Sequence, residues 1–181
     1  MVCLRTIIWA PWRSSYIKSV SKASKKPKSR CLFCDLKNKD DDDVYILFRG
    51  SRNYVVLNAY PYTTGHLMIV PYEHVDTVEK LDDETLIEMM KLMKFMIQVL
   101  REEYNPDGFN IGINIGRAAG AGIEDHVHLH IVPRWVGDAN FMSTIASTRV
   151  LPEALEDTYK KLKNRIRVHM TAKEKVNEIN L

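Results

Sequence analysis

Histidines at positions 126, 128 and 130 alternate with apolar residues in the run His126-Val127-His128-Leu129-His130-Ile131-Val132. Successive side chains of a β-strand point to opposite faces. This spacing therefore predicts a strand with three imidazoles on one face, roughly 7 Å apart, and three aliphatic side chains on the other. A row of three imidazoles on a core-lining strand is costly unless it is used, and such clusters point to chemistry. Neutral imidazole attacks phosphorus near pH 7, and the phosphoramidate it forms is labile enough to pass the group on. The pattern predicts phosphoryl or nucleotidyl transfer, with His128 at the centre of the row as nucleophile. His130 beside it can bind phosphate oxygens or help protonate the leaving group.

Just ahead of this row lies Ile115-Gly116-Arg117-Ala118-Ala119-Gly120-Ala121-Gly122-Ile123-Glu124-Asp125. Glycines let backbone amides approach phosphate oxygens closely, and Arg117 can add charge. Beside the histidines the loop reads as a phosphate cradle built on Gly120, Ala121 and Gly122. Cys31 and Cys34 have the C-x-x-C spacing of half a zinc knuckle, but the sequence has no second C-x-x-C. Further metal ligands would have to be remote histidines. The alternative, a redox pair, lacks the βαβ context that normally accompanies it.

The elements that must position these residues follow from periodicity. Val44–Phe48 and Tyr54–Asn58 read as a β-hairpin across Arg49-Gly50-Ser51-Arg52-Asn53, and His66–Val70 as a third strand stopping at Pro71. Asp82 and Asp83 offer an N-cap to one long amphipathic helix, with Leu86, Met89, Met90, Met93, Met96, Ile97 and Leu100 at three- and four-residue steps up to Asn105-Pro106-Asp107-Gly108. Phe109–Ile115 and His126–Val132 supply two more strands, and a C-terminal helix runs from Pro152 to about Val168. The expected class is α+β: a mostly antiparallel five-stranded sheet with a long helix and a C-terminal helix.

The 181 residues, 45% of them hydrophobic, suit a single domain spanning 1–181. Appended to it are a basic, flexible segment at about 18–30 and a polar tail at about 169–181. The acidic run Asp40-Asp41-Asp42-Asp43 reads as a solvated loop. A net charge of +3 makes no case for nucleic acid as partner. No apolar run is long enough to span a membrane and the start lacks a signal-like stretch, so the expected setting is cytoplasmic, with the cysteines reduced.

These motifs resemble the histidine-triad family, whose signature of three alternating histidines is complete here. The resemblance covers roughly 9–159. Asn58, eight residues before His66 in Asn58-Ala59-Tyr60-Pro61-Tyr62-Thr63-Thr64-Gly65-His66, matches the family's ribose-contacting position, and Asn114 matches a phosphate- or ribose-contacting one. By the same resemblance Phe48 and Leu57 are base-pocket residues. Where some relatives carry a hydroxyl late in the glycine loop, this chain has Ala121-Gly122. In zinc-bearing members the cysteine pair is completed by a histidine after the third strand and by the first triad histidine, here His74 and His126, giving a closed structural zinc site. The sheet is implied to pair edge to edge in a two-fold homodimer.

The opening Trp9-x-Pro11-Trp12-Arg13-x-x-Tyr16-Ile17, the asparagine at 58 and the segment Gly137-Asp138-Ala139-Asn140-Phe141 resemble the diadenosine-polyphosphate phosphorylase or hydrolase branch. The implied substrate is a dinucleoside polyphosphate such as diadenosine tetraphosphate, with phosphate or water as acceptor. The rival readings are a nucleoside phosphoramidate hydrolase and a non-catalytic nucleotide-binding module.

Overall fold

The computed structural model describes residues 31–138 and 151–179, with side chains to Thr171. The expectations for the aromatic opening, for the basic segment at 18–30 and for Ala139-Asn140-Phe141 fall outside these residues.

Elements follow in the order α1 (Leu32–Leu36), α2 (Asp41–Val44), β1 (Ile46–Arg49), β2 (Asn53–Leu57), β3 (Leu67–Pro71), α3 (Asp83–Tyr104), β4 (Gly108–Ile113), β5 (Leu129–Arg134) and α4 (Leu155–Ile179), with short 3-10 turns at Val78–Lys80 and Arg117–Ala119. The five strands form one antiparallel sheet in the order β1-β2-β3-β5-β4. Every connection but two is short; α3 fills the long crossing between β3 and β4, and the glycine loop fills the crossing between β4 and β5.

The helix α3 begins where its N-cap predicts, with the Asp82 carboxylate accepting the Thr85 N–H at 2.7 Å. It ends at Asn105, whose left-handed backbone (φ 43°) precedes Pro106, a residue that cannot continue a helix. Its buried face is Thr85, Met89, Leu92, Met96, Val99 and Leu100. Met90, expected on that stripe, is 43% exposed. The three- and four-residue steps are met by Leu92 and Val99 instead.

Two apolar layers sandwich the sheet. On one side Val55, Leu57, Leu67, Ile69, Val127, Leu129 and Ile131 pack against α3 and α4. On the other, Phe33 of α1 covers Ile46, Tyr54, Val56, Met68 and Val70.

Several boundaries differ from the sequence reading. Regular pairing in β5 starts at Leu129, so His126 and His128 sit on the extended lead-in rather than within the strand. The alternation of faces nevertheless persists through it: Val127, Leu129 and Ile131 share the helix-facing core, and the histidines take the opposite side. Pro133 lies inside β5, where it pairs with Phe109 of β4 beyond the last rung shared with β3. A missing N–H is tolerated where a strand has one neighbour. Pro71 likewise ends β3 from within.

The acidic run is no loop. Asp40 caps α2, its carboxylate accepting the Asp42 N–H, and Asp41 pairs with Arg49 at 2.7 Å and Lys163 at 3.2 Å. The C-terminal helix continues to Ile179, past the expected end near Val168.

Candidate active site and metal centre

The triad face looks into a cleft of about 540 Å³. Its lining joins an apolar group, Phe33, Leu36, Val44, Val56 and Ile123, which pack as one cluster, to His128, His130, Asn58, Asn114, Gly120 and Gly122. Leu57 borders the cleft while belonging mainly to the helix-facing core. Phe48 does not reach it. Its ring packs on Phe95 at 6.2 Å, on the opposite side of the sheet, because a register shift between Ile46 and Phe48 sets Phe48 opposite Val55 of the helix-facing layer. Ala121 also stands outside the lining, between the two glycines that form it.

Three ring orientations are set by neighbouring groups, and together they dictate what each histidine can do. His128 Nδ1 is 2.9 Å from the His126 carbonyl oxygen, which only accepts, so Nδ1 carries the proton and Nε2 keeps its lone pair. His126 does the reverse: its Nε2 lies 2.9 Å from the Pro71 carbonyl, which leaves Nδ1 unprotonated. His130 is set through a fourth histidine. The Tyr62 amide donates to His66 Nδ1 at 3.1 Å, so the His66 proton sits on Nε2, and that Nε2 lies 3.0 Å from His130 Nδ1. His130 therefore accepts at Nδ1 and carries its own proton on Nε2.

Burial keeps all of these rings neutral. It lowers the His128 pKa below the ordinary histidine value, only partly offset by the bond to the His126 carbonyl, and brings His130 down to about 4 and His66 to about 3, the neighbouring imidazoles adding to the effect. The result is an unprotonated nitrogen on His128 beside an N–H donor on His130, with ring centroids 4.7 Å apart. The sequence reading gave His66 no role. Its signal was available, since a histidine directly after a turn glycine lands one rung before β3, opposite Asn58.

Phe33 also escaped notice. It is 1% exposed and its ring centroid lies 5.4 Å from that of His126 and 4.8 Å from that of His128, so one of the two residues between the cysteines walls the triad face. Asn58 has a double duty. Its side-chain oxygen accepts the Tyr60 N–H at 2.9 Å, an Asx turn that shapes the loop, while the residue still borders the cleft. Arg117 lies 3.8 Å from Glu124, so its charge is matched within the loop.

Cys31, Cys34, His74 and His126 converge behind the triad, with ligand atoms all within 4.8 Å of one another. The Cys31 Sγ to His126 Nδ1, Cys34 Sγ to His74 Nδ1 and Cys34 Sγ to His126 Nδ1 separations are 3.3, 3.5 and 3.7 Å, and the two Nδ1 atoms are 3.3 Å apart. Metal–nitrogen bonds of about 2.05 Å and metal–sulfur bonds of about 2.3 Å imply tetrahedral edges of about 3.3 Å between nitrogens and about 3.6 Å between nitrogen and sulfur. The four residues can hold a metal ion. The backbone fixes the two histidines together, Val127 N–H donating to the Val75 carbonyl at 2.7 Å.

The fold and this face define a histidine-triad protein. The HIT domain model matches residues 40–136, and the chain belongs to the HIT family. Among its relatives, an AP-4-A phosphorylase of Mycobacterium tuberculosis is 38% identical over 155 residues, covering 83% of this chain and 79% of that protein. A Zn-bound histidine triad family protein from Mycobacterium smegmatis superposes with a TM-score of 0.64 at 27% identity, over 79% of this chain and 97% of that one. A Plasmodium falciparum diadenosine triphosphate hydrolase gives 0.58 at 25% identity, over 71% and 79%.

Proposed function

We propose that this chain cleaves dinucleoside polyphosphates such as diadenosine tetraphosphate through a nucleotidyl-His128 intermediate. The observation that carries the reading is the His128 tautomer: a neutral, buried ring whose Nε2 lone pair is left over after Nδ1 has bonded to the main chain. That lone pair attacks the α-phosphorus, the bridging P–O bond breaks, and its electron pair leaves with the remaining nucleotide. The N–H of His130, which lines the same cleft, stabilises the oxygens that gain charge, together with backbone amides of the Gly120–Gly122 stretch. In the second step an oxygen nucleophile takes the nucleotidyl group and the P–N bond breaks. Asn58 and Asn114 contact the nucleotide's sugar and phosphates, and the apolar cluster, Leu57 at its border, receives the base.

The likeness to a protein named as a phosphorylase favours phosphate as the acceptor. Incubation with diadenosine tetraphosphate followed by chromatography separates the outcomes. With phosphate present the expected products are ADP and ATP; water in its place yields AMP and ATP. No cleavage under either condition overturns the proposal.

The ion fitted by two thiolates and two neutral imidazoles is zinc, held structurally because all four positions are protein ligands. Thiolates of this kind suit a reducing cytoplasm, and among the described residues no helix is long and apolar enough to cross a membrane. A two-fold pairing through β4 accounts for its open edge. Asn110, Ile111 and Gly112 are exposed, and nothing lies within 4 Å of where a Cβ would stand on Gly108 or Gly112.

A further inference from the structure

A dinucleoside polyphosphate has two bases, and the cleft has one apolar cluster. Its 540 Å³ is in the range that encloses a single ligand of drug size. The second nucleoside therefore needs a further surface beside His128 and His130, and Tyr60 and Tyr62 both line the cleft with them. That surface is the loop between β2 and β3. From His128 the rings follow one another without a gap: His130 at 4.7 Å, then Tyr62, whose ring lies 6.3 Å from His130 and within 26° of parallel to it. Tyr62 is also packed on His66 at 4.6 Å, yet is 49% exposed. Two residues earlier Tyr60, which lines the same cleft, is 87% exposed.

A large aromatic side chain left so open on a mobile loop would say little, but this loop is pinned along its length. The Tyr60 amide bonds to the Asn58 side chain, the Tyr62 amide to His66, and the Thr63 hydroxyl donates to the Pro133 carbonyl at 2.8 Å. Pro61, between the two tyrosines, restricts the backbone further. The rings are thus presented by a rigid support, which keeps the entropic cost of stacking on them low.

We propose that Tyr60 and Tyr62 form the platform on which the base of the departing nucleoside stacks, making this loop the element that selects dinucleoside over mononucleoside polyphosphates. The inference rests on the reaction proposed above. Purine faces stack on exposed aromatic rings without base-specific hydrogen bonds, so the platform tolerates either purine.

The test compares equilibrium affinities for diadenosine tetraphosphate and adenosine 5′-tetraphosphate, which differ by the second nucleoside, in His128→Ala protein that binds without turnover. The parent is expected to prefer the dinucleoside. Adding Tyr60→Ala should reduce that preference about tenfold, and Tyr60→Phe, which keeps the ring, should preserve it. Equal affinity of the parent for both ligands, or a preference that survives Tyr60→Ala, overturns the platform. If the preference is present and responds to Tyr60→Ala while wild-type protein leaves diadenosine tetraphosphate uncleaved, the platform stands and the proposed reaction falls. Absence of binding to both nucleotides overturns both.

Discussion

The chemistry of the site depends on which nitrogen of each imidazole holds the proton, and main-chain groups make that choice. His128 and His126 donate to carbonyls, and His130 is fixed through His66 by the Tyr62 amide. His128→Ala is expected to abolish turnover while leaving nucleotide affinity largely intact, because it removes the attacking nitrogen without filling or emptying the cleft's apolar cluster. Single-turnover kinetics beside a binding isotherm check this; more than a small percentage of residual activity would remove His128 from the role. The same rings predict a pH response. His66 and His130 titrate near 6.5 when unfolded but at about 3 and about 4 in the native state, burial being the main cause. The folded state thus binds fewer protons than the unfolded one below pH 6.5. The stability that comes from keeping the rings neutral is complete above pH 6.5, and declines as the pH falls towards 4. Thermal melting at a series of pH values should show a plateau above neutrality and a steep acid limb. His66→Phe should flatten that limb, and an unchanged limb would count against the assignment.

Among the elements, the β1–β2 hairpin is tied to α3 by Arg52 with Asp82, by Asn53 with the Thr85 carbonyl, and most densely by Glu88. The Glu88 carboxylate on α3 accepts the amides of Ser51 (2.7 Å) and Arg52 (2.8 Å) and the Asn53 side-chain amide (2.8 Å). Burial would raise its pKa, but these donors outweigh burial and hold it below the ordinary carboxylate value. Glu88→Ala removes three acceptor contacts from the turn and should cost on the order of 2 kcal/mol, read from urea unfolding midpoints at pH 7. A loss below a few tenths of that would mean that the turn holds itself. Nothing in the sequence advertises this residue. The helix containing it was legible, because the caps and the three- and four-residue steps agree over 22 residues. The faces of the triad segment were legible for a similar reason: alternation needs only an extended backbone, so His128 and His130 line the cleft although the strand begins at Leu129. Contacts set by long-range packing were hidden. Phe33 against His128 and His66 behind His130 depend on which layer covers a given strand face, and Phe48 is turned away from the cleft by a register shift in β1; a local pattern encodes neither. The acidic run misled in the opposite way. A block of like charge suggests solvent, but Asp41 is matched by Arg49 and Lys163, which come from β1 and α4.

At the scale of the whole molecule, the edge strand β4 gives a direct expectation. Light scattering at micromolar concentration should report a dimer, and a monomer mass would leave the open edge without an explanation. The metal assignment predicts about one zinc per chain by elemental analysis. Cys31→Ser should lower the melting temperature far more than turnover per folded molecule, since a closed site holds the structure and does not activate water. Zinc absent from untreated protein would overturn the ligand set. The four candidate ligands come from three distant stretches of the chain: His74 is 40 residues from Cys34, and His126 is 52 residues from His74. An ion gripping all of them closes both loops at one point, and by the chain-entropy argument used for cross-links each loop of that length is worth on the order of 4 kcal/mol, drawn from the freedom of the unfolded polypeptide. Zinc supply during synthesis would then govern how many copies of the protein survive, while leaving the turnover of each surviving copy unchanged. In a cell short of the metal, the shortage would appear as lost abundance.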